Sequence, residues 1–230
     1  MKLLAIETAT ESCSAALLDN NEIFSINEVA PRRHNEIILS MCEQVLAQGQ
    51  TSLSQLDAIA FGRGPGAFTG VRLAASVTQG IALGQDLPVV PVSSLAALAQ
   101  SAFESVQATQ VLSCIDARMQ EVYIGQYKFN VHKIMELVGE EKVTPPNMVN
   151  EEVNDKCYGV GSGWKTYARV LQETMGKKLS YDEELYPQAE HVAKLANVYF
   201  QQDNSVSAVE ALPVYLRDNV AKKPKNKMVF

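Results

Sequence analysis

Three groups of residues in this 230-residue chain have the types and spacing that chemistry uses. The first is a glycine loop, FGRGPGAFTG, from Phe61 to Gly70, and the segment Phe61–Gly84 holds six of the chain's 13 glycines. A glycine loop opening into a helix can cradle phosphate, because free N–H groups and the helix dipole both favour an anion. The P-loop version needs Lys followed by Ser or Thr at the loop's end, where this chain has Thr69-Gly70-Val71. The dinucleotide fingerprint belongs at the start of a βαβ unit, whereas here a strand meander and a helix precede the loop. The second group is a pair of acids, Glu7 and Asp116, each closing an apolar run; together they could form a carboxylate pair, or they could be caps and solvated turns. The third is Ser12 and Cys13, which would need a histidine base nearby. His34, His132 and His191 are far apart in sequence, no H-E-x-x-H occurs, and the four cysteines form no C-x-x-C. Small buried thiols are the simplest reading of Cys13, Cys42, Cys114 and Cys157.

The elements around these residues read as α/β. Lys2 to Glu7, Ser14 to Leu18 and Glu22 to Val29 are three strands joined tightly, hence an antiparallel meander. Asn35 to Gln48 is a helix whose apolar positions cover an arc of roughly 200°. Asp57 to Phe61 is a strand. Gly62, Gly64, Gly66 and Gly70 give the following loop its freedom, Pro65 stiffens it, and Thr69 is the expected N-cap. In the next helix Leu73, Val77 and Ile81 read as the core stripe, with Ala74, Ala75, Thr78 and Ala82 as a second, small-residue face. Pro88 to Val92 is a strand, and an alanine-rich helix runs from Ser93 to about Ser105. The order then restarts. Val111 to Asp116, Glu121 to Lys128, His132 to Leu137 and Lys156 to Gly161 are strands, followed by helices near Trp164 to Thr174 and Ala189 to Gln202. Glu7 and Asp116, 109 positions apart, sit at matching points of the two series. The expectation is two similar α/β lobes, over residues 1–107 and 108–230, the second ending in a lysine-rich tail from Ala221 to Phe230.

Composition narrows the function. A net charge of −6 is the wrong sign for a stand-alone nucleic-acid binder. No apolar run reaches membrane-spanning length and no secretory signal is visible, so a cytoplasmic protein with no membrane contact is expected.

A ribonuclease-H-like lobe repeated twice resembles the layout of the actin, hexokinase and Hsp70 class. The stretches AIETATESCSAALL, FGRGPGAFTGVRLA, PVVPVSSLAALAQ, CIDARMQEVYIGQY and PVYLRDNVA narrow this further: together they resemble the bacterial TsaB (YeaZ) family over most of the chain. The resemblance implies a non-catalytic subunit of the machinery that makes N6-threonylcarbamoyladenosine at adenosine 37 of tRNAs reading ANN codons. Its implied partners are the catalytic paralogue TsaD, the ATPase TsaE, a second copy when alone, and tRNA only through the complex. The paralogue's two metal-ligand histidines would fall on Ser94 and Leu98, neither a competent metal site, so no metal is expected there. Glu7-Thr8-Ala9-Thr10 and Asp116-Ala117-Arg118-Met119 occupy the places of the class's phosphate turns but contain no glycine. Gly159, Gly161 and Gly163 resemble its adenosine-side turn. No cofactor is expected, with a nucleotide at an interface of the complex left open. The partner surface is expected on the first two helices, at Ile37, Met41 and Val45 of one and Val71, Ala75, Thr78 and Ala82 of the other. The rival readings are a metallopeptidase-like or ATP-dependent enzyme of the same superfamily, and direct tRNA binding.

Overall fold

The structure is a computed structural model, and it describes residues 1–217. The lysine-rich tail therefore lies outside the described residues. The first half forms strands β1 (Lys2–Glu7), β2 (Ser12–Asp19), β3 (Glu22–Val29), β4 (Ala58–Gly62) and β5 (Val89–Val92), with helices α1 (His34–Gln48), α2 (Phe68–Gln85) and α3 (Ser94–Val106). The second forms β6 (Gln110–Asp116), β7 (Val122–Phe129), β8 (Met135–Thr144), β9 (Tyr158–Val160) and β10 (Tyr181–Asp182), with α4 (Ser162–Met175) and α5 (Ala189–Gln201). The five strands of the first sheet run in the order β3-β2-β1-β4-β5, and those of the second in the order β8-β7-β6-β9-β10. These are the same order, element for element. In each sheet the first three strands are antiparallel and the fourth joins the first in parallel. The duplication read from element order is thus present in the topology. It is imperfect, because a 3-10 turn at Pro146–Met148 stands where the first half has α1.

The meander forms because β1 and β2 have apolar centres and are almost wholly buried while the edge strand β3 faces solvent along most of its length. Ser93 caps α3, its hydroxyl accepting from the amides of Leu95 and Ala96. The helix α2 begins at Phe68 from an extended Ala67 with no side-chain cap, so Thr69 is inside the first turn rather than its N-cap.

The helices do not stay with their own halves. α3 lies against β6, β7, β8 and β9 of the second sheet, and α5 lies against all five strands of the first, with the two helices touching each other. One apolar core runs from Leu3, Ala5 and Val90 through Leu95, Leu98, Val192 and Leu195 to Val111, Ile115 and Val160. The outer face of the first sheet is closed by α1 and α2, and that of the second by α4, whose Trp164 is fully buried. Beyond α5 the chain returns to the first half: Val206 bridges Val89, and the Val214 amide donates to the Arg63 carbonyl. The chain division at residues 107 and 108 separates the two sheets but not the two packed halves.

The orientation of α2 reverses the expected one. Val71, Ala74, Ala75, Thr78 and Ala82 are the buried face, while Leu73, Val77 and Ile81 are half-buried. Small side chains let the helix axis approach the sheet closely, and the burial of five such positions outweighs the larger aliphatics left at the flank. The Thr78 hydroxyl oxygen is buried there without a hydrogen-bond partner. Thr78→Val removes that orphan at constant shape and is expected to stabilise the protein by about 1 kcal/mol, a rise in Tm of about 2–4 °C. A lower Tm in calorimetry would mean that the hydroxyl is satisfied in solution.

Candidate functional site

The glycine loop ends β4 and packs against the turn Thr8-Ala9-Thr10 that follows β1. A Cβ at Gly62 would lie 1.9 Å from a Glu7 carboxylate oxygen, one at Gly66 2.3 Å from the Ala9 carbonyl oxygen, and one at Gly70 2.0 Å from the Thr8 carbonyl oxygen. The Ala67 amide donates to Ala9 O at 2.7 Å, and the Thr8 hydroxyl donates to Gly70 O at 2.8 Å. The glycines are therefore required by close backbone approach within the chain. The space that a phosphate cradle would keep open is filled by the neighbouring turn.

Glu7 is fully buried. Its carboxylate accepts from the Ala9 amide at 2.6 Å and from the Ser94 hydroxyl at 2.8 Å. Burial pushes its pKa above the ordinary 4.5, and the contacts from Ala9, Ser94 and Thr8 oppose that only in part. A carboxyl raised in the folded state holds its proton more tightly there than in the unfolded chain. Its stabilisation is complete below about pH 4.5 and is lost as the pH rises through the folded value. Glu7→Gln, neutral throughout, is expected to flatten that dependence and to exceed the wild type in stability at about pH 8. Urea midpoints measured from about pH 4 to about pH 9 test this; parallel curves for the two proteins would refute it.

Ser94 and Leu98, the two positions singled out by the resemblance, are both fully buried. Ser94 is engaged by Glu7, and Leu98 packs so closely on Gly161 that a Cβ there would lie 2.6 Å from its Cδ2. Of the two donors a metal would need, one is a hydroxyl already spent on a carboxylate and the other is a hydrocarbon. The turn at Gly159, Gly161 and Gly163 is closed in the same way: a Cβ at Gly159 would meet Trp164 at 2.3 Å and one at Gly163 the Cys114 sulfur at 2.3 Å.

Asp116 does not pair with Glu7. Its carboxylate accepts from the Arg118 amide at 2.8 Å and from the Arg118 guanidinium at 3.2 Å. Arg118 also reaches Glu11 across the cleft at 3.5 Å. The four thiols are buried, and burial raises each, Cys13, Cys42 and Cys157 to about 12, so none is a thiolate at neutral pH.

A cleft of about 1080 Å³ remains between the halves. It is lined by Thr8 to Glu11, the start of α2, Asp116 to Met119, Lys165 and Tyr215. At its mouth the Arg72 guanidinium lies 3.4 Å from the centroid of the Phe68 ring and donates to the Tyr215 hydroxyl at 2.8 Å. Arg118, Met119 and Gln120 are three consecutive left-handed residues, with φ of 60°, 55° and 63°. Such a run is costly for side-chain-bearing residues, and nothing in the sequence signals it.

The seven expected contact residues are brought together on α1 and α2, but as core. Met41, Val45, Val71, Ala75, Thr78 and Ala82 are all at or below 4 % exposure, and Ile37 is half-buried. Most of the wide apolar arc of α1 is used by the sheet and by α2, while Leu39 stays 57 % exposed at its edge. The surface that α2 leaves open is the opposite one, carrying Ser76, Gly80, Leu83 and Gly84 with half-buried Leu73 and Val77 at its flank, and Leu83 is 65 % exposed. A Cβ at Gly80 or Gly84 would meet nothing within 4 Å. Among the described residues no helix is long and apolar enough to cross a membrane.

Two sheets of one strand order, facing each other across shared helices with a cleft at the ends of β1 and β6, define the duplicated ribonuclease-H-like class of actin, hexokinase and Hsp70. Residues 21–225 match the family model for tRNA N6-adenosine threonylcarbamoyltransferase, TsaD. The tRNA threonylcarbamoyladenosine biosynthesis protein TsaB of Haemophilus influenzae is 42 % identical, the match covering 97 % of this chain and 96 % of that protein. Its Escherichia coli counterpart is 41 % identical, over 97 % of each chain. The solved structure of YeaZ from Pseudomonas aeruginosa superposes with a TM-score of 0.88 at 44 % identity, covering 94 % of this chain and 99 % of that one. Another structure, described as an uncharacterized Pseudomonas aeruginosa protein with similarity to peptidase YEAZ, agrees equally well, with a TM-score of 0.88. The chain belongs to the TsaB (YeaZ) family of tRNA threonylcarbamoyladenosine biosynthesis proteins.

Proposed function

We propose that this chain is a non-catalytic subunit in N6-threonylcarbamoyladenosine formation at adenosine 37 of tRNA, and that it acts by binding and activating a TsaD-type catalytic paralogue. The observation that carries this is the closure around Glu7. Its carboxylate is held by Ser94, Leu98 is buried in the core, the glycines of the Gly62–Gly70 loop and of the Gly159–Gly163 turn face the chain's own atoms, and the two turns that line the cleft carry no glycine. The peptidase alternative has no support in the nucleophile candidates, since Cys13 is a buried, protonated thiol. An ATP-dependent reaction would need open glycine-backed turns, and these glycines already face backbone or side chains.

The docking surface in this reading is the open face of α2 around Gly80 and Gly84, flanked by Leu73, Val77 and Leu83, with the exposed edge of α1 beside it. Glycine costs about 1 kcal/mol in a helix interior relative to alanine. Two of them facing open space on one surface suit a partner helix that must come close. A second copy of the chain would use the same face when the paralogue is absent, and the ATPase TsaE and tRNA would join through the assembled complex in the cytoplasm. Reconstitution with the purified paralogue, assayed for modified tRNA, tests the function. Modification is expected from the pair and none from this chain alone; steady modification by this chain alone would overturn the reading.

A further inference from the structure

His191, on the first turn of α5, is 4 % exposed, and its Nδ1 is buried without a hydrogen-bond partner. Its other ring nitrogen, Nε2, faces two carboxylates. It lies 3.6 Å from Glu104 Oε2 on α3 and 3.3 Å from Glu190 Oε1 on α5. Both separations exceed a formed N–H···O bond, which is about 2.7–3.2 Å. They match another geometry. Ligand atoms about 2.1 Å from a tetrahedral zinc ion stand about 3.4 Å from one another. The three donor atoms all lie within 4.8 Å of one another.

The carboxylates are also aimed. The second oxygen of Glu104 accepts from Gln100 Nε2 at 3.2 Å, and the second oxygen of Glu190 accepts from the Ser25 hydroxyl at 3.2 Å. Such outer contacts turn the other oxygen of each carboxylate toward His191, as they do around bound metals. Both glutamates are about 30 % exposed, which leaves a path for an ion from solvent. The positive charge at this point is now the Lys194 ammonium, which is ion-paired with the same Glu104 oxygen. Lysine's flexible stem and its one-third exposure let it swing out.

From this geometry we infer that Glu104, Glu190 and His191 form a site for a divalent transition metal of the zinc type, completed by water. One imidazole nitrogen and two carboxylate oxygens suit zinc or cobalt rather than calcium or magnesium. The bound ion displaces Lys194 and takes the lone pair of Nε2, the imidazole staying neutral with its proton on Nδ1. It ties α3 to α5, the two helices exchanged between the halves, and so acts on stability rather than on chemistry. The site is independent of the surface around Gly80 and of the closed turns at Ser94 and Leu98.

The test uses the full chain without an affinity tag, first stripped of metal and then titrated with Zn²⁺ and Co²⁺. At about a hundred times Kd the Tm is expected to rise by about 5–10 °C, and Co²⁺ is expected to give tetrahedral absorption bands at about one ion per chain. His191→Ala and Glu190→Gln are expected to abolish both responses, with circular dichroism as the folding control. Lys194→Met removes the competing cation and is expected to tighten binding at least about threefold. No response from the wild type, an undiminished one from His191→Ala, or weaker binding by Lys194→Met overturns the site.

Discussion

Gly70→Ala is expected to destabilise the protein by about 3 kcal/mol or more. The added methyl carbon would sit 2.0 Å from the Thr8 carbonyl oxygen and 3.1 Å from its carbon. Both are backbone atoms, so no side-chain rotation relieves the clash. Neither backbone is free to move. Thr8 follows β1, which is hydrogen-bonded to β2 on one side and β4 on the other, and Gly70 is in the first turn of an 18-residue helix packed on that sheet. Any shift also breaks the bond from the Thr8 hydroxyl to Gly70 O. The control is Gly80→Ala in the same helix. A Cβ there meets nothing, and the better helix propensity of alanine is expected to add about 1 kcal/mol. Urea unfolding of the two variants measures the contrast. If Gly70→Ala fell within about 1 kcal/mol of the wild type, the loop would have to be loose enough to retreat from the turn, and a phosphate cradle would regain its claim.

Gly80→Arg is expected to leave the monomer folded and to weaken binding to the catalytic paralogue at least about thirtyfold, about 2 kcal/mol. Gly80 is at the centre of the outward face of α2, with Leu73, Val77 and Gly84 around it. An arginine there reaches into open space in the free chain, so folding is spared. In a helix–helix seam it would hold the axes apart and bury an unpaired charge. Arginine at Ala75 or Thr78, two positions the sequence placed on the partner surface, is expected to fail differently. Ala75 is 4 % exposed and Thr78 fully buried, so either substitution puts the charge into the chain's own core and unfolds it. Sedimentation of Gly80→Arg alone and mixed with the paralogue, with circular dichroism beside it, separates the two cases. A folded Gly80→Arg that binds with unchanged affinity would move the seam off this face.

Local patterns in the sequence were enough to determine most of the elements. The tight connections between β1, β2 and β3 and the apolar runs of β1 and β6 are short-range features, and most strands and helices appear close to where those features put them; β8, expected at His132 to Leu137, instead spans Met135–Thr144, and the two-residue β10 carried no signal. Repetition of that order was legible as two related halves, because element order needs no contact information. Tertiary structure alone decided which face of α2 points inward. A helix with an aliphatic stripe and a small-residue stripe can bury either, and the choice rests on how closely its axis can approach the sheet. The exchange of α3 and α5 between the sheets was invisible for the same reason: both are apolar enough to lie against either layer, and only the three-dimensional path settles which. The glycines of the loop were legible as necessary, but their reason was not, since the atoms they avoid belong to a turn about 60 residues earlier. His191 read as isolated along the chain, and the carboxylate of Glu104 comes to it only because α3 and α5 cross. Sequence fixes what is local in torsion and periodicity. Proximity across the core comes from the sum of many weak packing contacts, which no single stretch of residues carries.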